Sequence, residues 1–317
     1  MYHLLRPLLF NLDAETAHGF TLRGLDLAHR SGLGSLLSKP PTDLPIEALG
    51  LRFPNPVGLA AGLDKNGAHL DALGALGFGF IEIGTITPRP QAGNPQPRLF
   101  RLPAHQAIIN RMGFNNEGID ALVGHVRRSH YQGVLGINIG KNKDTPNEQA
   151  ADDYLICLEK AWPLASYITV NISSPNTQGL RDLQEEATLR RFISTLRERQ
   201  EQLGSQAGGR KPMLLKIAPD LNETELDAIA EVLLSCGVDG VICTNTTIAR
   251  SAIAGDSLAG AAGGLSRAPV PPKSAQVLPG MASRLDRQIP TPGRRGLPPG
   301  PAASQQHTPH RQHSLSA

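Results

Sequence analysis

Polar side chains recur where short apolar runs end, and their types suggest a chemistry. The run Val57 to Gly62 leads into Asp64, Lys65 and Asn66, Gly79 to Gly84 into Thr85, and Val134 to Gly140 carries Asn138 with Lys141 and Asn142 behind it. Tyr167 to Ile172 leads into Ser173, Ser174 and Asn176 and contains Asn171; Met213 to Ala218 contains Lys216; Gly240 to Cys243 leads into Thr244, Asn245 and Thr246. One such end is an ordinary turn, but six converging on one face are not explained by turns. Asparagine and threonine offer neutral donors and acceptors, so several in one pocket suit a planar molecule with amide-like edges, either a flavin ring or a pyrimidine. No metal is expected, because these ends hold no histidine cluster and few carboxylates. Lys65 and Lys216 can offset the charge of a bound carboxylate or of a reduced ring. Lys216 lies within an apolar run, where unpaired burial would be costly.

The elements that must position these groups follow from the rhythm of the chain. Most of the apolar runs are followed by a helical pattern, for example Gln149 to Leu164, Glu186 to Gln202 and Glu223 to Cys236. Alternation of this kind predicts parallel strands joined by right-handed crossovers, and six units with room for two more favour an α/β fold of the (β/α)8 TIM barrel type. No G-x-G-x-x-G turn opens the first unit as a dinucleotide fold would require. Between the second and third strands the segment Thr87 to Glu117 is read as a long loop, a lid or wall of the site.

Before the first unit, Leu4, Leu5, Leu8 and Leu9 form an apolar stripe, Asp13 is placed to cap a second helix, and Phe20, Leu22 and Leu25 continue helical spacing. Arg6, Pro7, Asn11 and Asp13 interrupt the apolar run, which excludes a signal peptide, and no segment is long enough to span a bilayer. Composition leaves two readings open, a helical pair packed on the domain or an interfacial amphipathic anchor.

The 317 residues, 40% hydrophobic and 19% charged, fit one barrel with extensions and exclude a disordered or coiled-coil chain. Cys157, Cys236 and Cys243 form no C-x-x-C pair, so neither a disulfide framework nor a zinc site is expected and a reducing cytoplasm is the simplest setting. The net charge of +3 is uneven: residues 266–317 carry +6 and the remainder −3. The basic balance therefore belongs to the tail and gives no argument for nucleic-acid binding.

Six motifs in order, G-L-A-A-G-L-D-K-N-G (Gly58 to Gly67), I-E-I-G-T-I-T-P-R-P-Q (Ile81 to Gln91), N-R-M-G-F-N-N (Asn110 to Asn116), N-I-S-S-P-N-T (Asn171 to Thr177), L-L-K-I-A-P-D (Leu214 to Asp220) and T-N-T-T (Thr244 to Thr247), give residues 1 to about 265 a close resemblance to the membrane-associated, quinone-dependent class 2 dihydroorotate dehydrogenases. The resemblance implies FMN held by Ala60, Ala61, Gly62, Leu63, Asp64, Thr85, Asn138, Asn171, Lys216, Thr244 and Gly296. It implies dihydroorotate bound by Lys65, Asn110, Arg111, Met112, Gly113, Phe114, Asn171, Asn176, Asn245 and Thr246. By the same resemblance Ser174 is the base that takes a proton from C5 while C6 gives hydride to the flavin. A serine in that role needs a dry pocket and a relay. His18 and Arg101 match positions near a quinone channel; for His18 a plain helix-surface histidine is the alternative. The resemblance further implies a monomer of UMP biosynthesis, seated peripherally on the cytoplasmic face of the cell membrane through its N-terminal helices.

The expected organisation is thus an N-terminal quinone-access extension over 1–40, an FMN-binding barrel over 41–265, and a Pro/Arg-rich end over 266–317 in place of the last barrel units. That end holds ten prolines and no aromatic residue, and reads as lacking strand or helix period. Arg267 stands where the family places glycine, and I-P-T-P-G-R-R-G (Ile289 to Gly296) where it places a phosphate loop near I-P-I-I-G-V-G-G, so only Gly293 and Gly296 keep their places. Two rival readings follow, a related FMN oxidoreductase on another dihydropyrimidine and a non-catalytic, truncated or frameshifted remnant that cannot hold FMN.

Overall fold

The computed structural model describes residues 2–32, 43–268 and 270–285. Six strands, β3 (Gly58–Leu59), β4 (Phe80–Ile86), β7 (Val134–Ile139), β8 (Tyr167–Asn171), β9 (Met213–Ile217) and β10 (Gly240–Cys243), lie side by side in chain order, all parallel. The helices between them are α3 (Leu70–Gly74), α4 (Ile119–Arg128), α5 (Ala150–Ala161), α6 (Glu186–Ala207) and α7 (Glu223–Ser235). These are consecutive units of the (β/α)8 barrel that the alternation predicts, and each falls close to its sequence-read position.

Period-two alternation sorts the strand residues into two environments. The outward set, including Ile81, Ile83, Ile137, Ile168, Val170, Leu215 and Val241, packs with the helices into the main core. The inward set stacks in layers. At the bottom Phe80, Tyr167 and Leu214 meet Phe53 of the hairpin β1 (Ile46–Ala48) and β2 (Leu51–Phe53), which plugs the barrel floor. Above them come Glu82, Thr169 and Asn138, with Asn138 level with Thr169, and at the top Thr85, Asn171 and Lys216, with Asn171 level with Lys216.

At the N-terminus α1 (Tyr2–Asn11) and α2 (Ala14–Arg30) form the expected helical pair. Asp13 caps the second as its residue type predicts, accepting from the amides of Glu15 and Thr16 at 3.0 Å each.

Two expectations need correction. The segment Thr87 to Glu117 is not simply a loop: β5 (Leu99–Leu102) and β6 (Ala107–Asn110) form an antiparallel ribbon, extended by β11 (Gly264–Arg267). The chain beyond Ser266 does not lose its period at once, because β11 crosses the expected boundary at 265 and helix α8 (Pro271–Arg284) follows. Val277, Met281 and Leu285 at helical spacing bury in the main core, and α8 packs on α7 and β10. Its opening prolines occupy the first turn, where no intrahelical partner for the N–H is missed, so proline count misrepresents this stretch. Gly293, Arg294, Arg295 and Gly296 lie outside the described residues.

Candidate active site

Where the six strands end, a cavity of about 710 Å³ opens, well within the range of cofactor and substrate pockets. It gathers residues that sequence reading drew from five separate strand ends: Ala60, Ala61, Gly62, Leu63 and Lys65 after β3, Thr85 from β4, Asn171, Ser174 and Asn176 at β8, Lys216 on β9, and Asn245 and Thr246 after β10. Asn110, Met112, Gly113 and Phe114 close it from the ribbon side. Parallel strands in register put these positions at one height, which is why residues far apart in sequence meet.

Four candidates do not line the cavity. Asn138 stands directly behind Thr85, whose Oγ1 donates to its Oδ1 at 2.5 Å. The Asp64 carboxylate accepts the amides of Ala68 (3.1 Å) and His69 (2.8 Å) and so shapes the turn after β3. Thr244 is buried, its hydroxyl donating to Asn245 O at 3.2 Å. The Arg111 guanidinium reaches Pro97 O at 2.8 Å and lies over the Phe100 ring.

The turn carrying Ser174 is held from several sides. Ser174 Oγ accepts the Asn176 amide at 3.2 Å, and the Asn176 side chain donates to Asn110 Oδ1 at 3.2 Å. Arg181 donates to Ser173 O and Thr246 O at 3.1 Å each and pairs with Asp220 at 3.2 Å, so one guanidinium joins the loops after β8, β9 and β10. Thr177 Oγ1 is buried in this turn with no hydrogen-bond partner, a group that sequence reading did not single out. Burial pushes Lys65 down to about 8, with Glu15 opposing and Arg98 adding to the shift.

The cavity does not stop at the barrel mouth. It continues between the helices, lined there by Leu9, Phe10, Ala14, Ala17 and Thr21, and both His18 and Arg101 lie on this stretch. His18 Nε2 donates to Leu63 O at 2.9 Å, and burial, followed by the nearby Lys65, holds its imidazole below the usual histidine range. Arg101 donates to Leu12 O (2.8 Å) at the end of α1, and its guanidinium lies 4.8 Å from the Phe10 ring centroid. A bidentate pair between the buried Arg98 and the half-buried Glu15, at 2.6 and 2.9 Å, ties α2 to the ribbon, while Arg98 Nη1 also holds Asn94 O at 2.9 Å. Sequence reading missed this pair because its members are 83 residues apart.

The sequence pattern of the dihydroorotate dehydrogenase family matches residues 43–303, past the point near 265 where the motif resemblance was expected to end. The chain is 65% identical over 298 residues to the dihydroorotate dehydrogenase (quinone) of Stenotrophomonas maltophilia R551-3, covering 94% of this chain and 85% of that one. It therefore belongs to the dihydroorotate dehydrogenase family. Another such quinone enzyme, from Flavobacterium lutescens, is 63% identical over 96% of this chain and 87% of its own. The crystal structure of the Eimeria tenella dihydroorotate dehydrogenase in complex with ferulenol superposes with a TM-score of 0.81 at 38% identity, covering 90% of this chain and 80% of that one. As a dihydroorotate dehydrogenase, the chain presents the family's barrel with the N-terminal helical pair laid over the mouth of the cavity.

Proposed function

We propose that the chain oxidises (S)-dihydroorotate to orotate in pyrimidine (UMP) biosynthesis, with FMN accepting the hydride and a quinone carrying the electrons away. One observation carries this reading: a single cavity joins an amide-and-lysine pocket at the strand ends to an apolar slot between α1 and α2. The donor set suits FMN. Ala60, Ala61 and Gly62 are small, nothing stands within 4 Å of where a Gly62 Cβ would be, and Thr85, Asn171 and Lys216 face the space beside them. Asn138 and Thr244 would support the ring from behind, Asp64 by shaping the turn, and Gly296 would serve the phosphate as it does in the family.

FMN, when bound, supplies the hydride-accepting ring. The chain does the rest. Lys65 meets the substrate carboxylate, and Asn110, Asn176, Asn245 and Thr246 meet its amide edges, with Met112, Gly113 and Phe114 forming the wall and Arg111 bracing that wall from outside through Pro97 O. Ser174 Oγ removes the C5 proton as it gives its own hydroxyl proton to water, and the Asn176 amide at 3.2 Å steadies the negative charge on this oxygen. Lys216 brings positive charge to the barrel axis at the level of Asn171. The slot past His18 and Arg101 admits the quinone.

No helix among the described residues is long and apolar enough to cross a membrane. The proposed seat is peripheral, on the cytoplasmic face, through α1 and α2, which leave Leu8 66%, Phe20 68% and Leu27 70% exposed. The proposed working unit is a monomer, as in the family that the motifs resemble.

The test is the visible spectrum of the purified chain before and after anaerobic addition of dihydroorotate. A flavin band that bleaches supports the reading, and Ser174→Ala should keep the band while losing the bleaching. A colourless product would return the chain to the remnant reading, and equal bleaching rates in the Ser174→Ala protein would remove Ser174 as base.

A further inference from the structure

Glu82 is a carboxylate inside the barrel, 5% exposed, one layer below the cavity and absent from its lining. Three donors converge on it: Asn138 Nδ2 at 2.9 Å, Thr169 Oγ1 at 2.9 Å and the Tyr167 hydroxyl at 3.2 Å. Burial, reinforced by Glu82, holds the Tyr167 phenol well above its ordinary value, so it stays a neutral donor.

Glu82 accepts from all three donors, and that fact propagates. Asn138 must turn its NH₂ toward Glu82 and therefore its carbonyl toward Thr85, whose hydroxyl donates to it at 2.5 Å. The single Thr85 proton is then spent, so its oxygen accepts from Asn171 Nδ2 at 2.8 Å. Asn171 is left with its carbonyl facing Ser173, which donates from its amide at 3.2 Å and its hydroxyl at 3.0 Å, and facing Asn245 Nδ2 at 3.4 Å. Reversing any amide in this chain would set two acceptors or two donors against each other in a buried site.

We infer that Glu82, acting with the donor-only Ser173 amide at the far end, is a positioning residue that fixes the sense of the Asn138, Thr85 and Asn171 chain, and so holds the free edge of Asn171 toward the cavity as a donor. Asn171 lines the cavity, and its second amide hydrogen is then presented to an accepting ring edge of flavin or substrate. The inference rests on the FMN reading above and adds to it the polarity of one wall.

The experiment is anaerobic stopped-flow reduction of the bound flavin by dihydroorotate in the parent chain, Glu82→Gln, Glu82→Met and Thr85→Val, with orotate-induced change of the flavin band as second readout. Glutamine can offer its carbonyl to Asn138 and its NH₂ to the hydroxyls of Tyr167 and Thr169, which can rotate to accept. It should reduce within about threefold of the parent and keep the orotate-induced band change. Methionine has the size without the acceptor, and should slow reduction at least about tenfold and alter the band change. Equal slowing in both variants would mean that only the charge matters and would overturn the inference, as would a parent-like rate in Glu82→Met. If methionine prevents folding, Thr85→Val decides: it cuts the chain with Glu82 intact and should be slowed at least about tenfold, and a parent-like rate overturns the inference. A parent chain that binds no flavin would overturn the FMN reading and this inference with it.

Discussion

Lys65 stores a conflict between stability and binding that can be measured. Its ammonium is pushed from 10.5 to about 8, chiefly by burial. At neutral pH the folded chain thus holds a proton at a site that disfavours it, and the shift corresponds to roughly 3 kcal/mol at about 1.4 kcal/mol per unit. The unfolded chain binds the extra proton between pH 8 and 10.5, so across that window stability rises with pH. Lys65→Met removes the buried charge while keeping the stem. It should raise the melting temperature of the ligand-free protein near pH 7 by roughly 5 °C, an advantage that shrinks to nothing as pH approaches about 10.5. The same change should weaken orotate binding by roughly a hundredfold, since a carboxylate loses its buried partner. Thermal melts from pH 6 to 10, with and without orotate, separate the two effects. A mutant no more stable than its parent at pH 7, or an advantage constant with pH, would refute the reasoning.

Other outcomes follow from particular contacts. Ala14→Phe places a ring in the slot between α1 and α2 and should reduce quinone turnover at least about tenfold while leaving flavin reduction by dihydroorotate near the parent rate; loss of both rates together would contradict the slot's role. Arg98→Met leaves the half-buried Glu15 without its bidentate partner and should destabilise the chain by about 1.5–3 kcal/mol, read by urea unfolding, because Arg98 is buried and also holds Asn94. Arg267 sits at φ +70°, a left-handed conformation costly for any residue with a Cβ, so Arg267→Gly should stabilise by about 1 kcal/mol; an unchanged unfolding midpoint would show that its neighbours already relieve the strain.

Much of the barrel was legible because parallel strands covered on both faces read as short apolar runs, such as Met213–Ile217, each with a polar group in or just after its last residues. Asp13 announced its helix by type and position. The site was legible because barrel chemistry lies at strand ends, and the family motifs supplied roles that spacing alone left open between a flavin and a pyrimidine. What escaped were partnerships over distance. Glu82 reads as one stray charge in F-I-E-I, and only the barrel's closure brings Asn138, Tyr167 and Thr169 onto it. The ribbon β5–β6 hid in a segment rich in proline and asparagine, and α8 hid behind its own prolines, since composition ignores that proline suits a first turn. The φ of +70° at Arg267 fits the glycine that the motif pattern called for there.

The pairing of β11 with β6 also sets an order of assembly. Asn110 of the substrate wall is matched with Gly264, and Ala107 with Arg267, so this wall has no complete sheet until the chain has been made beyond residue 267. The six parallel strands can add one after another as they leave the ribosome, each beside the strand made just before it. The ribbon must wait for a partner more than 150 residues downstream, a closure that is slow and entropically costly. The nascent chain therefore carries its strand-end groups on an open mouth through most of its synthesis, and the cavity acquires this wall only once residue 267 has been made.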